Sequence, residues 1–245
     1  MKQRPIVTLS FFRFTAWQDR WWAFRQMGLA PETLATVEGL RFFKMLGSGG
    51  GNGFSIRPNF GVYGLLGVWE REDPAQTFFM THPLFAEFRG RSESCWTVFL
   101  RTAAAHGQWD GQQPFPIATD LKADQPVAVL TRATIRTRHL WRFWRFTPPV
   151  SRSMNERDGL LFAVGIGELP LVQQATFSIW ENVGAMRAYA YGSKLHSEVI
   201  RRTRQVGWYE EELFARFHPF ASMGTWEQAD PLADVHHLLE RSDIG

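Results

Sequence analysis

The chain has a single cysteine, Cys95, among its 245 residues. One thiol excludes an internal disulfide, a cysteine-rich zinc site and an iron–sulfur cluster held by the protein itself. It fits a reducing, intracellular setting. Long apolar runs are missing as well: no stretch of about 18 uninterrupted apolar residues could span a membrane as a helix. The start, MKQRPIVTLSFFRF, is basic but breaks its apolar run at Thr8, Ser10 and Arg13 and offers no small-residue cleavage site. No secretory leader is therefore expected. Charge imbalance is small, +3 with His neutral, which gives no reason to expect a nucleic-acid partner. A phosphate-binding loop is also lacking. GSGGGN, from Gly47 to Asn52, has no Gly-Lys-Ser/Thr ending and runs on into a strand pattern rather than a helix. It reads as a hairpin connection or as a lid over a pocket.

What the chain does hold is aromatic: 11 Trp and 21 Phe, more than average composition leads one to expect. Large flat side chains fill cores, and they also line pockets for apolar or planar ligands.

The patterns alternate between period 2 and period 3.6. Ile6–Phe14, Leu40–Leu46, Phe60–Trp69 and Ser94–Leu100 read as strands, with helices over Trp17–Ala35 and Pro74–Arg91, the second interrupted by Pro83. A polar, proline-bearing stretch from Gln112 to Gln125 reads as a linker. Beyond it, Val127–Thr137, Leu160–Ile166, Gln174–Trp180 and Glu211–Phe217 read as strands and Ala185–Val206 as a helix, with a poorly patterned segment around Pro148–Asn155. Both halves give β-α-β-β-α-β, the ferredoxin-like order. Local landmarks repeat too: Trp69-Glu70 and Trp180-Glu181 each close a strand before a helix, and Gly107-Gln108-Trp109-Asp110 matches Gly224-Thr225-Trp226-Glu227. The expected fold class is α+β: two fused ferredoxin-like halves, 1–122 with the linker and 123–245, forming a dimeric α+β barrel within one chain.

Among seven histidines no pair has the spacing that fixes a metal within one element. His196 shares a helical face with Ile200 and Thr203 (i, i+4, i+7), with Ser197, Glu198, Arg201 and Arg204 on the other side. An imidazole on such a stripe is either a hydrogen-bonded core residue or a ligand. In TRATIRTR, Arg132, Thr134, Arg136 and Arg138 share one face of a strand, which is either solvated or holds carboxylates through a guanidinium fork. Phe177 and Ile179 share a face opposite Thr176, Ser178 and Trp180. Lys44, beside the glycine loop, is either a site residue or a lysine packed by its stem on aromatic neighbours.

Several stretches resemble the spheroidene monooxygenase family nearly end to end: TLSFFRF, FFKMLGSGGGNGF, WTVFL, GQWDGQQPF, PVAVLTRATI, VGIGELPLVQQATFSIW, HSEVIRR, WYEEELFARF and GTWE. The resemblance implies a heme-dependent monooxygenase that hydroxylates an acyclic carotenoid near one end and carries it on to a ketone. It implies heme b, O2 and electrons from a separate [2Fe-2S] ferredoxin. Related heme proteins of this fold take an axial ligand from a helix of the second half, and the matching position is His196, which becomes the expected iron ligand. Heme needs one strong protein ligand and an apolar slot. Phe177, Ile179, Trp180 and Ile200 are the expected pocket residues, Arg132, Arg201 or Arg204 the expected propionate partners, and Lys44 a further site residue. Other chemistry on the same heme fold, such as aldoxime dehydration, and a non-enzymatic barrel that binds an apolar ligand stay open. The expected location is cytoplasmic, peripheral at the inner membrane, with Trp141, Phe143 and Trp144 as candidates to touch lipid.

Overall fold

Eight strands close into one barrel in the order β1-β3-β2-β6-β7-β5-β8-β4. They are β1 (Ile6–Arg13), β2 (Leu40–Gly49), β3 (Pro58–Trp69), β4 (Ser94–Gly107), β5 (Val127–Ile135), β6 (Leu160–Gly167), β7 (Gln173–Trp180) and β8 (Tyr209–Thr225). Helices α1 (Trp17–Leu34), α2 (Glu72–Thr81), α3 (Pro83–Arg91) and α4 (Val183–Gly192) lie outside them. This is a computed structural model, and it describes residues 4–49, 58–141, 144, 158–192 and 207–236. The α+β barrel expected from the sequence is the fold observed.

All strand pairs are antiparallel, so side chains alternate between the barrel interior and its outer face. Val7, Leu9, Phe11, Leu66, Trp96, Leu130, Phe162, Phe177 and Phe217 point inward and pack as one apolar cluster. The interior is thus filled by side chains. On the outer face of the first half, Phe12, Tyr63, Leu65 and Trp69 meet Phe78, Phe79, Phe85 and Phe88 from α2 and α3.

Pro83 divides the helical stretch as the sequence indicates. The pyrrolidine ring pushes the preceding residue out of the α region, and His82 sits at φ −73°, ψ 127°. Its Nδ1 then accepts the Leu84 N–H at 3.2 Å, capping α3.

The two seams between halves are unequal. Strands β4 and β8 pair from Cys95↔Thr225 to Gly107↔Leu213, whereas β2 and β6 pair only at Gly47↔Gly167 and Ser48↔Ile166. The long seam explains why β4 and β8 outrun the spans read from the sequence. Bulges between Phe99 and Leu100 and between Thr102 and Ala104 break the period-2 pattern there. The stretch 112–125 holds no helix or strand but is not detached. Phe115 is buried with its ring edge-on to Phe217 at 5.2 Å.

The halves repeat each other in detail. Trp69 Nε1 donates to Thr8 Oγ1 at 2.9 Å and Trp180 Nε1 to Ser178 Oγ at 3.0 Å. Glu70 N–H donates to Gly39 O and Glu181 N–H to Gly159 O. Trp109 and Trp226 each close a tight turn by an isolated bridge, to Gln112 and Ala229.

Candidate functional site

Two regions gather chemistry. The first is a barrel mouth. Lys44 lies between Phe42 and Leu46 on β2, and Arg132 two residues past Leu130 on β5, so both point inward. Arg132, 1% exposed, pairs with Glu211, with Glu168 at 3.2 Å and with Asp110 at 3.4 Å. Lys44 pairs with Asp110 and with Glu168 at 2.8 Å. Trp109 donates its indole N–H to Glu168 at 2.8 Å. Burial works against charge on Lys44, but Asp110 and Glu168 outweigh it and raise its pKa. Burial likewise opposes charge on Glu211, yet the N–H groups of Gly111 and Asp110 and the Arg132 guanidinium hold its carboxyl below the usual range. Lys44 and Glu211 are thereby held in their charged forms, which suits a structural plug.

The second region is the outer face of the second-half sheet, next to α4. The register sets Ala163, Ser178, Val129 and Arg216 in one row across β6, β7, β5 and β8, and Gly165, Thr176, Thr131 and Phe214 in the next. Aligned on Trp69 and Trp180, the matching first-half rows read Phe43, Gly67, Thr8, Phe99 and Met45, Leu65, Ser10, Thr97. On β6 and β7 the second-half face therefore carries Ala163, Gly165 and Thr176 where the first-half face carries Phe43, Met45 and Leu65. At one end Trp180 closes it, stacked on Tyr189 of α4 at 5.1 Å and packed with Val127 and Met186. At the other stand Ile135, Trp144 and Trp208. Arg216, half-buried, faces this surface over the Phe214 ring at 5.2 Å, and its Nε is buried without a hydrogen-bond partner.

The sequence-derived site residues do not converge on one place. Phe177 and Ile179 belong to the barrel interior, while Trp180 faces α4; successive strand residues point to opposite sides, so the three cannot line one pocket. Arg132 and Lys44 are consumed in the mouth cluster and cannot serve a ligand lying under α4. As for Lys44, its ammonium is ion-paired and stands 5.5 Å from the centroid of the Phe42 ring. His196, Ile200, Arg201 and Arg204 lie outside the described residues. Of the lipid candidates, Trp141 is 73% exposed, but Trp144 is buried and donates its indole N–H to Leu171 O at 3.1 Å; Phe143 lies outside the described residues. Arg216 and the rows of small residues were missed: alternation gives the face of each residue, but only the register sets Ala163, Ser178 and Val129 side by side. Among the described residues no group of three or more His, Cys, Asp or Glu could hold a metal ion.

No protein-family model matches the chain. Curated proteins do. The spheroidene monooxygenase of Rhodobacter capsulatus is 36% identical over 239 residues, covering 97% of this chain and 98% of that protein. The spheroidene monooxygenase of Cereibacter sphaeroides is 36% identical over 230 residues, 94% of this chain and 71% of that one. The chain belongs to the spheroidene monooxygenase family. That membership makes it a monooxygenase. Among solved structures, an aldoxime dehydratase in complex with butyraldoxime matches this monooxygenase with a TM-score of 0.59 at 11% identity, over 89% of this chain and 80% of that one. At such identity the likeness speaks for the fold alone.

Proposed function

We infer that this monooxygenase oxidises an acyclic, spheroidene-like carotenoid near one end, with O2 and electrons from a ferredoxin, on a heme b held under α4 against the outer face of the second-half sheet. The observation that carries this reading is the pair of small-residue rows, Ala163–Ser178–Val129 and Gly165–Thr176–Thr131. A flat macrocycle needs a broad surface free of bulky side chains, and the equivalent first-half positions of Ala163, Gly165 and Thr176 carry Phe43, Met45 and Leu65, packed in the cluster that holds the phenylalanines of α2 and α3. An anionic cofactor also needs a cation, and Arg216 stands in the first of these rows with its Nε unpartnered.

In this reading His196, in the segment that follows α4, supplies the imidazole to the iron. Trp180 and Tyr189 wall one edge of the slot, and Arg216 takes a carboxylate. The heme would supply the activation of O2 that an unactivated C–H bond requires. The protein's own part is to exclude water, through Trp180, Val127 and Met186, and to hold the cofactor in one orientation. A substrate as apolar as a carotenoid then needs no acid–base pair to orient it, in keeping with a mouth cluster whose charges are spent on one another.

The test is incubation of the purified protein with an acyclic carotenoid, reduced ferredoxin and O2. Hydroxylated and keto products, each lost when ferredoxin or O2 is withheld, support the reading. Turnover of an aldoxime with no carotenoid product would contradict it.

A further inference from the structure

The short seam between β2 and β6 leaves room that the long seam does not. Beside its two paired positions lies a cavity of about 280 Å3 whose wall includes Met27 of α1, Phe60 and Tyr63 of β3, Ile166 of β6, and Leu169 and Leu171 beyond it. It lies beneath α1, and Gly167, Gln174 and Leu171 line its far side, next to the Gly165–Thr176 row. Within this apolar wall Tyr63 is 3% exposed, and its hydroxyl is buried with no hydrogen-bond partner. A buried donor without an acceptor is costly and calls for a reason. Burial pushes the Tyr63 pKa up to about 12, so the phenol keeps its proton and stays a donor at any physiological pH.

The cavity is continuous with an aromatic ridge. Trp17, Trp21 and Phe24 recur at i, i+4 and i+7 on α1 and are 72%, 58% and 45% exposed. Trp21 stacks on Phe24 at 5.7 Å, and Phe24 meets the edge of Phe60, itself 52% exposed, at 5.7 Å. Phe24 and Phe60 are also cavity wall. An exposed apolar patch that leads into a cavity marks a ligand path rather than scattered surface residues.

We propose that the β2–β6 seam cavity binds one end of a long apolar chain carrying a single acceptor oxygen, with Tyr63 Oη donating to that oxygen and the Trp21–Phe24–Phe60 ridge shielding the remainder of the chain. The volume, at the lower edge of ordinary ligand pockets, suits a chain end and not a whole polyene. The oxygen is an ether, alcohol or carbonyl; all three accept from a phenol.

The test uses octyl methyl ether and n-decane, its isostere with a methylene in place of oxygen, titrated into the full chain labelled with [13C-methyl]methionine. The Met27 signal, assigned with Met27→Leu, should shift with either probe. Tyr63→Phe should weaken the ether about threefold to tenfold and leave decane unchanged, since only the hydrogen bond is lost. Its melting temperature should not fall, because the hydroxyl removed has no protein partner. Ser48→Phe, which fills the cavity from β2, should abolish the Met27 shift. A Met27 signal unmoved at saturating ether, or equal effects of Tyr63→Phe on both probes, would overturn the proposal. Neither probe is a polyene or touches iron, so this outcome is independent of the carotenoid and heme reading.

Discussion

The Arg132 guanidinium lies 5.3 Å from the centroid of the Trp109 ring, and at the other mouth of the barrel Arg13 repeats the arrangement over Trp226 at 5.0 Å. Strands β1 and β5 run antiparallel through the closed order of strands, so Arg13 and Arg132, each near the C-terminal end of its strand, face opposite ends. Each tail tryptophan plugs the end at which its partner arginine stands. The duplication legible in Gly107–Asp110 and Gly224–Glu227 is thus a device for closing both ends of the barrel.

The two plugs differ in burial, and this sets the cost of breaking them. Arg132 is 1% exposed among three carboxylates, whereas Arg13 and Glu227 are 35% and 59% exposed. Arg132→Met should lose about 1.5–3 kcal/mol of stability, since it removes the charge-assisted bonds to Glu211 and Glu168, of which Lys44 still meets only Glu168. Arg13→Met should lose under about 1 kcal/mol. Urea midpoints with unchanged slopes would show the contrast; equal losses would contradict it.

Acid should destabilise the Arg132 mouth. The folded pKa of Glu211 lies below its unfolded value, so the unfolded chain binds the proton first as pH falls. The contribution is complete above the unfolded pKa, about 4.3, and is lost as pH drops from there through the folded pKa. Asp230, also lowered by His236, Ser222, Leu232 N–H and Trp96 against the effect of burial, acts with the same sign at the other mouth. Melting curves from pH 7 to pH 3 should show the fall, and Glu211→Gln should flatten part of it.

The turns that carry the plugs depend on glycine. Gly107 and Gly224 have φ of +90° and +81°, and a Cβ on either would lie 2.1 Å from a carbonyl oxygen of the neighbouring strand, Glu212 O or Cys95 O. Alanine at either position should cost about 2 kcal/mol or more, read from denaturant unfolding of each variant.

Arg216 offers a separate readout of the cofactor slot. Its Nε has no hydrogen-bond partner to lose, so Arg216→Met should leave the melting temperature of heme-free protein unchanged or higher. The same change should weaken hemin uptake about tenfold, as for one charge-assisted hydrogen bond. A drop in stability with unchanged hemin affinity would assign Arg216 a structural role instead.

The order of elements along the chain and the internal repeat could be read in the sequence because they rest on local patterns: alternation in β1 and β7, the Pro83 break, the paired Trp-Glu and Gly-x-Trp-acid landmarks. Of the helix expected over Ala185–Val206, residues 193–206 lie outside the described residues. The site could not be read in the same way. Whether Arg132 meets solvent or carboxylates depends on Asp110, Glu168 and Glu211, which sit on three other segments and meet it only when the barrel closes. Phe177 and Trp180 looked like neighbours in a pocket because they are close in the chain, yet the pleat separates them by the full thickness of the sheet. The small-residue rows emerge only once register aligns Ala163, Ser178 and Val129 across three strands.

The most direct measurement is the absorption spectrum of the purified chain beside that of His196→Ala, each before and after addition of hemin. Axial ligation by His196 predicts a Soret band in the wild type that is lost or shifted in the variant, with melting of the heme-free forms unchanged. A wild type that neither carries nor takes up heme, or a Soret band identical in both proteins, would contradict the account.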